Sequence, residues 1–255
     1  MQIGAQMFTL HKYCQTLDAF AESLKKVADI GYTTVQVSGT CAYEPEWLAE
    51  QLKKNGLACN LTHFDLNRIV SEPDKVVAEH NVFGFKYIGI GGADGARGGG
   101  IEGIRKFHEE IGPAVRRLHE LGSQFMYHNH NMEYAKAEDG RTYMQLLSDT
   151  FTPEEMGFTL DTYWAKKGGA EPVDEVRRLH GRLPCVHYKD MLVMPDGTRR
   201  FTWIGNGILN WEEITAAMEV AGTQFIYIEQ DDCYGENPFD CLKKSYQYLR
   251  SIGLD

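Results

Sequence analysis

The chain has 255 residues, 43% hydrophobic and 24% charged, with a formal net charge of −10. That size suits one large domain or two small ones. The acidic balance argues against nucleic acid as a partner, because neutralising phosphates requires a basic surface. The six cysteines are scattered with no C-x-x-C pair, which points to reduced thiols rather than a disulfide scaffold. The opening MQIGAQMFTLHKY lacks a basic-then-apolar leader, and no apolar run approaches the roughly 18 residues of a membrane span, so a cytoplasmic location is expected.

Gln2 to Leu10 reads as a first strand, followed by an amphipathic helix over Leu17 to Gly31 with Thr16 as N-cap. Thr33 to Val37 is a second strand and Pro45 to Asn55 a helix stopped by Gly56. A third strand spans Leu57 to His63, with a helix over about Asp74 to Phe83; Lys86 to Ile90 is the fourth strand. A glycine-dense loop, Gly91 to Gly100, has neither a G-x-G-x-x-G nor a P-loop lysine and suits a βα loop. It leads into a long helix ending near Gly122, then strand five (Gln124 to His128) and a helix over Arg141 to Asp149. Strand six is Gly157 to Leu160, with a helix near Val173 to His180. Strand seven is Pro184 to Tyr188, then a long loop and a helix over Asn210 to Gly222. Strand eight is Gln224 to Glu229, and a last helix runs from about Pro238 to Ile252.

Strict alternation of eight βα units in this length demands parallel strands with right-handed crossovers, and at that count the sheet closes into a single (β/α)8 TIM barrel over residues 1–255. The rival open sheet would place a glycine-rich phosphate turn after strand one, where the chain has TLHKYCQT.

In such a barrel the site lies at the C-terminal strand ends. There the chain places His63, the His128–Glu133 segment, Asp161, His187 and Glu229. One such residue alone is more often structural, but carboxylates and imidazoles on adjacent strands point to a shared cation, because crowded like charges are costly without one. An N/O donor set without thiolate suits Mn²⁺, Mg²⁺, Co²⁺ or Zn²⁺. Trp164 suits a sugar-stacking wall and Lys189 a contact to substrate oxygen, while His80, His108, His119 and His180 sit beside charged helical neighbours and read as a solvated face.

With these residues in place, the chain resembles the sugar phosphate isomerase/epimerase family of xylose-isomerase-like TIM barrels. The resemblance rests on His63 in NLTHFD, HNHNMEY, Asp161 in LDTYW, His187-Tyr188-Lys189-Asp190, GNGILNW (Gly205 to Trp211) and Glu229 in IEQDD. It implies one divalent ion, Mn²⁺ first, held by a Glu–Asp–His–Glu set carried to Glu133, Asp161, His187 and Glu229. In the ketose 3-epimerases the first glutamate lies within strand five, whereas here that tip carries His128 and His130. The first ligand is therefore Glu133 or a strand-five histidine.

The expected chemistry is isomerisation or epimerisation by proton abstraction next to the carbonyl of a ketose or keto-polyol. Glu229 is the base, Glu133 or His130 returns the proton, and His63, His128, Trp164 and Lys189 bind substrate. The alternative is a dehydratase of a cyclic keto-polyol or keto-glycoside, and a more remote one a non-catalytic sugar-binding barrel. Phosphodiester hydrolysis is disfavoured by the acidic charge. The expected partner is a small sugar or polyol, unphosphorylated because basic residues near the mouth are few, with no nucleic acid, no membrane, and homo-oligomerisation left open.

Overall fold

The structure, a computed structural model, describes residues 1–84 and 86–254. Seven parallel strands come first: β1 (Gln2–Gln6), β2 (Thr34–Val37), β3 (Ala58–His63), β4 (Tyr87–Ile90), β5 (Gln124–His128), β6 (Gly157–Asp161) and β7 (Cys185–Tyr188). An antiparallel hairpin of β8 (Asp190–Val193) and β9 (Arg199–Thr202) intervenes before β10 (Phe225–Ile228), which pairs with β7 on one side and β1 on the other. The sheet is thereby a closed eight-stranded barrel, a single (β/α)8 unit. β2, β4, β6 and β7 are buried along their whole length, as strands covered by helices outside and packed side chains inside must be.

The helices are α1 (Leu17–Ile30), α2 (Pro45–Asn55), α3 (Leu66–Ser71), α4 (Pro73–Asn81), α5 (Gly100–Glu120), α6 (Tyr143–Thr150), α7 (Thr162–Lys167), α8 (Pro172–Arg178), α9 (Trp211–Ala221) and α10 (Pro238–Ser251). Their ends follow local chemistry. Thr16 Oγ1 accepts from Ala19 N at the start of α1, and Thr142 and Gln145 form a reciprocal capping box on α6. No helix among the described residues is long and apolar enough to cross a membrane.

Four details depart from expectation. The first strand stops at Gln6, whose side-chain oxygen accepts from Phe8 N and turns the chain into a 3₁₀ helix over Met7–Tyr13. The long loop after β7 holds the β8–β9 hairpin, closed by Asp196 and by Gly197 at φ 82°. α3 and α7, six residues each, are too short to register as periodicity. His80 is not on a solvated face: it is buried, its Nε2 3.0 Å from Thr62 Oγ1 and its Nδ1 2.7 Å from Val76 O.

Candidate active site and metal centre

The C-terminal ends of β5, β6, β7 and β10 converge on one buried group. His128 ends β5 and Asp161 ends β6. His187 is the third residue of β7, in register with Asp161 on one side and Tyr227 on the other. Glu229 follows β10 directly, its N–H bonded to Tyr188 O. One ligand atom from each of His128, Asp161, His187 and Glu229 lies within 4.8 Å of all the others.

Asp161 is held from several sides. Its backbone N–H donates to Asn129 Oδ1 at 2.9 Å, its Oδ1 caps α7 by accepting from Trp164 N at 2.9 Å, and its Oδ2 lies 3.2 Å from His128 Nε2. His187 Nε2 lies 2.6 Å from Gln36 Oε1. With that nitrogen donating to a carbonyl oxygen, Nδ1 presents a lone pair. It does so 2.8 Å from Glu229 Oε2 and 3.9 Å from Asp161 Oδ2, so acceptors face one another across the centre.

Lys189 enters the same space, 1% exposed, with Nζ 3.0 Å from Asp161 Oδ2, 2.9 Å from Glu229 Oε2 and 2.9 Å from Asp231 Oδ1. Its backbone is fixed by Thr162, whose hydroxyl donates to Lys189 O and accepts from Lys189 N. Three carboxylates thus surround one ammonium, an excess of negative charge that one divalent cation would neutralise. Facing lone pairs at His187 and Glu229, that charge excess and an N₂O₂ donor set all fit a divalent ion.

Burial and neighbouring charges pull the titration of these groups in different directions. Burial, then the neighbouring imidazoles, push His63 and His128 well below the ordinary histidine range, so both are neutral donors. Burial would raise Glu229, but the Lys189 ammonium holds it well below the carboxylate range; Asp161, the more enclosed, is raised by burial despite Lys189. Asp231 is pushed up to about 7 by burial, opposed by Lys189 and reinforced by Glu229.

The expected site residues separate as follows. Asp161, His187 and Glu229 come together, and His128 joins them. His63, on β3, packs against His128 and His187 at a tilt, with ring centroids 5.3 and 5.5 Å away. Trp164 lies beside the centre, its ring 5.6 Å from Lys189 Nζ and 5.2 Å from the His130 ring. Phe201, delivered by the hairpin, closes the same wall 5.6 Å from Lys189 Nζ.

Glu133, expected among the ligands, lies outside the group. Its Oε1 accepts from Tyr127 Oη at 2.6 Å and from Arg97 Nε at 2.8 Å, and its Oε2 accepts from the backbone N–H of His130 at 2.8 Å. It is 0% exposed, and these partners tie it to the glycine-rich loop rather than to the centre. His128, at the strand tip, reaches the position a loop residue does not.

A cavity of about 240 Å³ opens over the centre, lined by His63, His128, His130, Lys189, Glu229 and Asp231 among others. A second cavity of about 420 Å³ shares Ser38 and His63 with it. Asp231, Gln36 and the role of Arg97 were missed by sequence reasoning. Asp231 was open to sequence reasoning, because it lies two residues beyond Glu229 in the same polar strand-end run, IEQDD. Gln36 and Arg97 were not, because only their contacts distinguish them.

Comparison with known proteins gives a consistent picture. The family model described as "Xylose isomerase-like TIM barrel" matches residues 24–252. Against the curated proteins the chain finds no match. Among solved structures it is similar to a sugar phosphate isomerase/epimerase from Parabacteroides distasonis, with a TM-score of 0.84 at 20% identity, covering 99% of this chain and 94% of that one. It is also similar to a probable 3-DHS dehydratase from Bacillus anthracis, TM-score 0.70 at 17% identity over 98% and 99% of the two chains. A third is an L-ribulose 3-epimerase, TM-score 0.74 at 12% identity over 99% and 94%. At these identities the likeness is one of fold.

Proposed function

Since this chain belongs to the xylose isomerase-like TIM barrel family, we propose that it is a divalent-metal-dependent sugar isomerase or epimerase that removes a proton next to the carbonyl of a ketose or keto-polyol. The observation that carries this is the buried His128, Asp161, His187 and Glu229 cluster at the mouth of the barrel. His128, Asp161, His187 and Glu229 would hold the ion, with Mn²⁺, Mg²⁺, Co²⁺ and Zn²⁺ all compatible with the donors. When bound, a divalent cation supplies Lewis-acid stabilisation of the negative charge that develops as the proton leaves.

The chain's own groups supply the rest. Glu229 and Asp231 line the cavity, and Glu229 is the base we assign. Glu133 does not line the cavity, so the proton that Glu229 takes is returned to carbon by Glu229 itself or by Asp231, both of which do. Lys189, its ammonium enclosed by carboxylates, meets a substrate oxygen as a fixed positive charge. His63 offers Nε2, which is buried without a hydrogen-bond partner, as a second polar contact. Trp164 and Phe201 give the wall on which the apolar face of a sugar ring rests.

The test is proton exchange. Purified protein with Mn²⁺ should wash solvent deuterium into a carbon beside the carbonyl of a ketose, keto-inositol or keto-glycoside. No exchange with any of them, in protein shown to contain metal, would overturn the assignment. Appearance of a conjugated enone chromophore would turn it to the dehydratase alternative, in which the same proton loss is followed by departure of a β-hydroxyl.

A further inference from the structure

The glycine-rich loop between β4 and α5 carries Arg97 across the mouth to a position that decides how His130 meets the cavity. Arg97 Nη2 lies 2.8 Å from His130 Nδ1, and its Nε donates to Glu133 Oε1 at 2.8 Å. Glu133 also accepts from Tyr127 Oη and from the backbone N–H of His130 itself, so the carboxylate holds both partners of the Arg97–His130 contact at once. A guanidinium has only donors and stays protonated in proteins. Its neighbour Nδ1 is therefore an acceptor, and the ring proton is on Nε2. Nε2 makes no hydrogen bond to any of the described residues, while the ring lines the 240 Å³ cavity between His128 and Trp164.

We propose that Arg97 is a positioning residue that fixes His130 as its neutral Nε2–H tautomer, so that the imidazole presents a hydrogen-bond donor to a substrate oxygen. Nε2–H has no lone pair with which to take a proton from carbon, so His130 acts as a donor beside the reacting centre and proton removal falls to the carboxylates. The loop is built for this contact. Gly92 has φ +121°, and a Cβ there would lie 1.7 Å from Arg97 Nη2, so any side chain at 92 displaces the guanidinium. The tautomer rests on the Arg97–His130 contact, held by Glu133, alone; only its meeting with a sugar oxygen rests on the function proposed above.

The experiment is nitrogen NMR of the full chain labelled with ¹⁵N-histidine, the His130 signals being identified by their loss in His130→Asn. The wild-type protein should show His130 Nε2 as the protonated, pyrrole-type nitrogen and Nδ1 as the pyridine-type one, and Arg97→Met should move both towards the averaged values of a free imidazole. A wild-type spectrum with the proton on Nδ1 overturns the proposal without any variant having to fold. An unchanged tautomer in folded Arg97→Met overturns it as well. If sugar turnover is found, Arg97→Met should lower kcat by about 10- to 100-fold, the scale expected of a displaced catalytic contact, with metal content and KM nearly unchanged. If no sugar exchanges, the functional assignment fails while the NMR result still decides the tautomer.

Discussion

Asp161 shows how much one side chain carries. Its Oδ1 caps α7, its Oδ2 faces His128 and Lys189, and its backbone N–H is taken by Asn129. Asp161→Asn keeps a capping oxygen but loses the charge. It should leave the helix in place while lowering Mn²⁺ affinity at least ~100-fold, since even outer partners of a ligand are worth 10- to 100-fold; equilibrium dialysis with elemental analysis checks this. Glu133→Gln gives the opposite pattern. Its carboxylate sits among Arg97, Tyr127 and His130, so the variant should bind metal as well as the wild type. It should lose about 2–4 kcal/mol of stability, read from urea unfolding, because a buried pair is broken. Loss of metal from this variant would restore Glu133 to the ligand set.

At the scale of elements, two carboxylates act as staples. Asp190, at the root of the hairpin, accepts from Met191 N, Gly205 N, Gly207 N and Trp211 Nε1, and so fastens the GNGILNW turn and the start of α9 to the barrel. Gly207 is required there, because a Cβ would lie 2.2 Å from Asp190 Oδ1 and 2.4 Å from Met191 O. Asp190→Ala leaves these buried donors unpaired and should cost about 3–5 kcal/mol, seen as a lower urea midpoint. Glu155 ties α5 to the turn before β6 through Arg116 at 2.6 Å and His108 at 3.2 Å. Burial opposes its charge, yet the Thr152 backbone, Arg116 and His108 lower its carboxyl below the ordinary 4.5. A lowered folded-state value contributes stability that is complete above 4.5 and lost as pH falls through the lowered value. Glu155→Gln should therefore be about 1–2 kcal/mol less stable than wild type at neutral pH. The gap should close in unfolding measurements taken progressively below 4.5.

For the molecule as a whole, closure of β10 onto β1 is what draws four distant strand ends around one point. A cation held there binds the folded chain and not the unfolded one, so it adds stability by mass action. At about a hundredfold excess over its dissociation constant the gain is about 2.7 kcal/mol. Chelation by EDTA should thus lower Tm by roughly 5–10 °C, on the usual scale for a chain of this size, with Mn²⁺ restoring it. Identical melting curves with and without chelator, from metal-loaded protein, would remove the centre from the stability of the fold.

The eight βα units, the closed barrel and the convergence of Asp161, His187 and Glu229 were legible in the sequence. Apolar period, glycine stops and polar strand ends are local, and parallel strands with right-handed crossovers leave few ways to join them. Three matters were decided only by tertiary structure. His128 rather than Glu133 stands in the cluster, because hydrogen bonds from Tyr127, Arg97 and His130 draw that glutamate away. Lys189 turns into the centre, because Thr162 on the neighbouring element fixes its backbone. Arg97 reaches His130 across 33 residues of chain. A strand end can be located by pattern, but which way a loop side chain turns depends on partners far away in sequence, and those partners exist only once the barrel has closed.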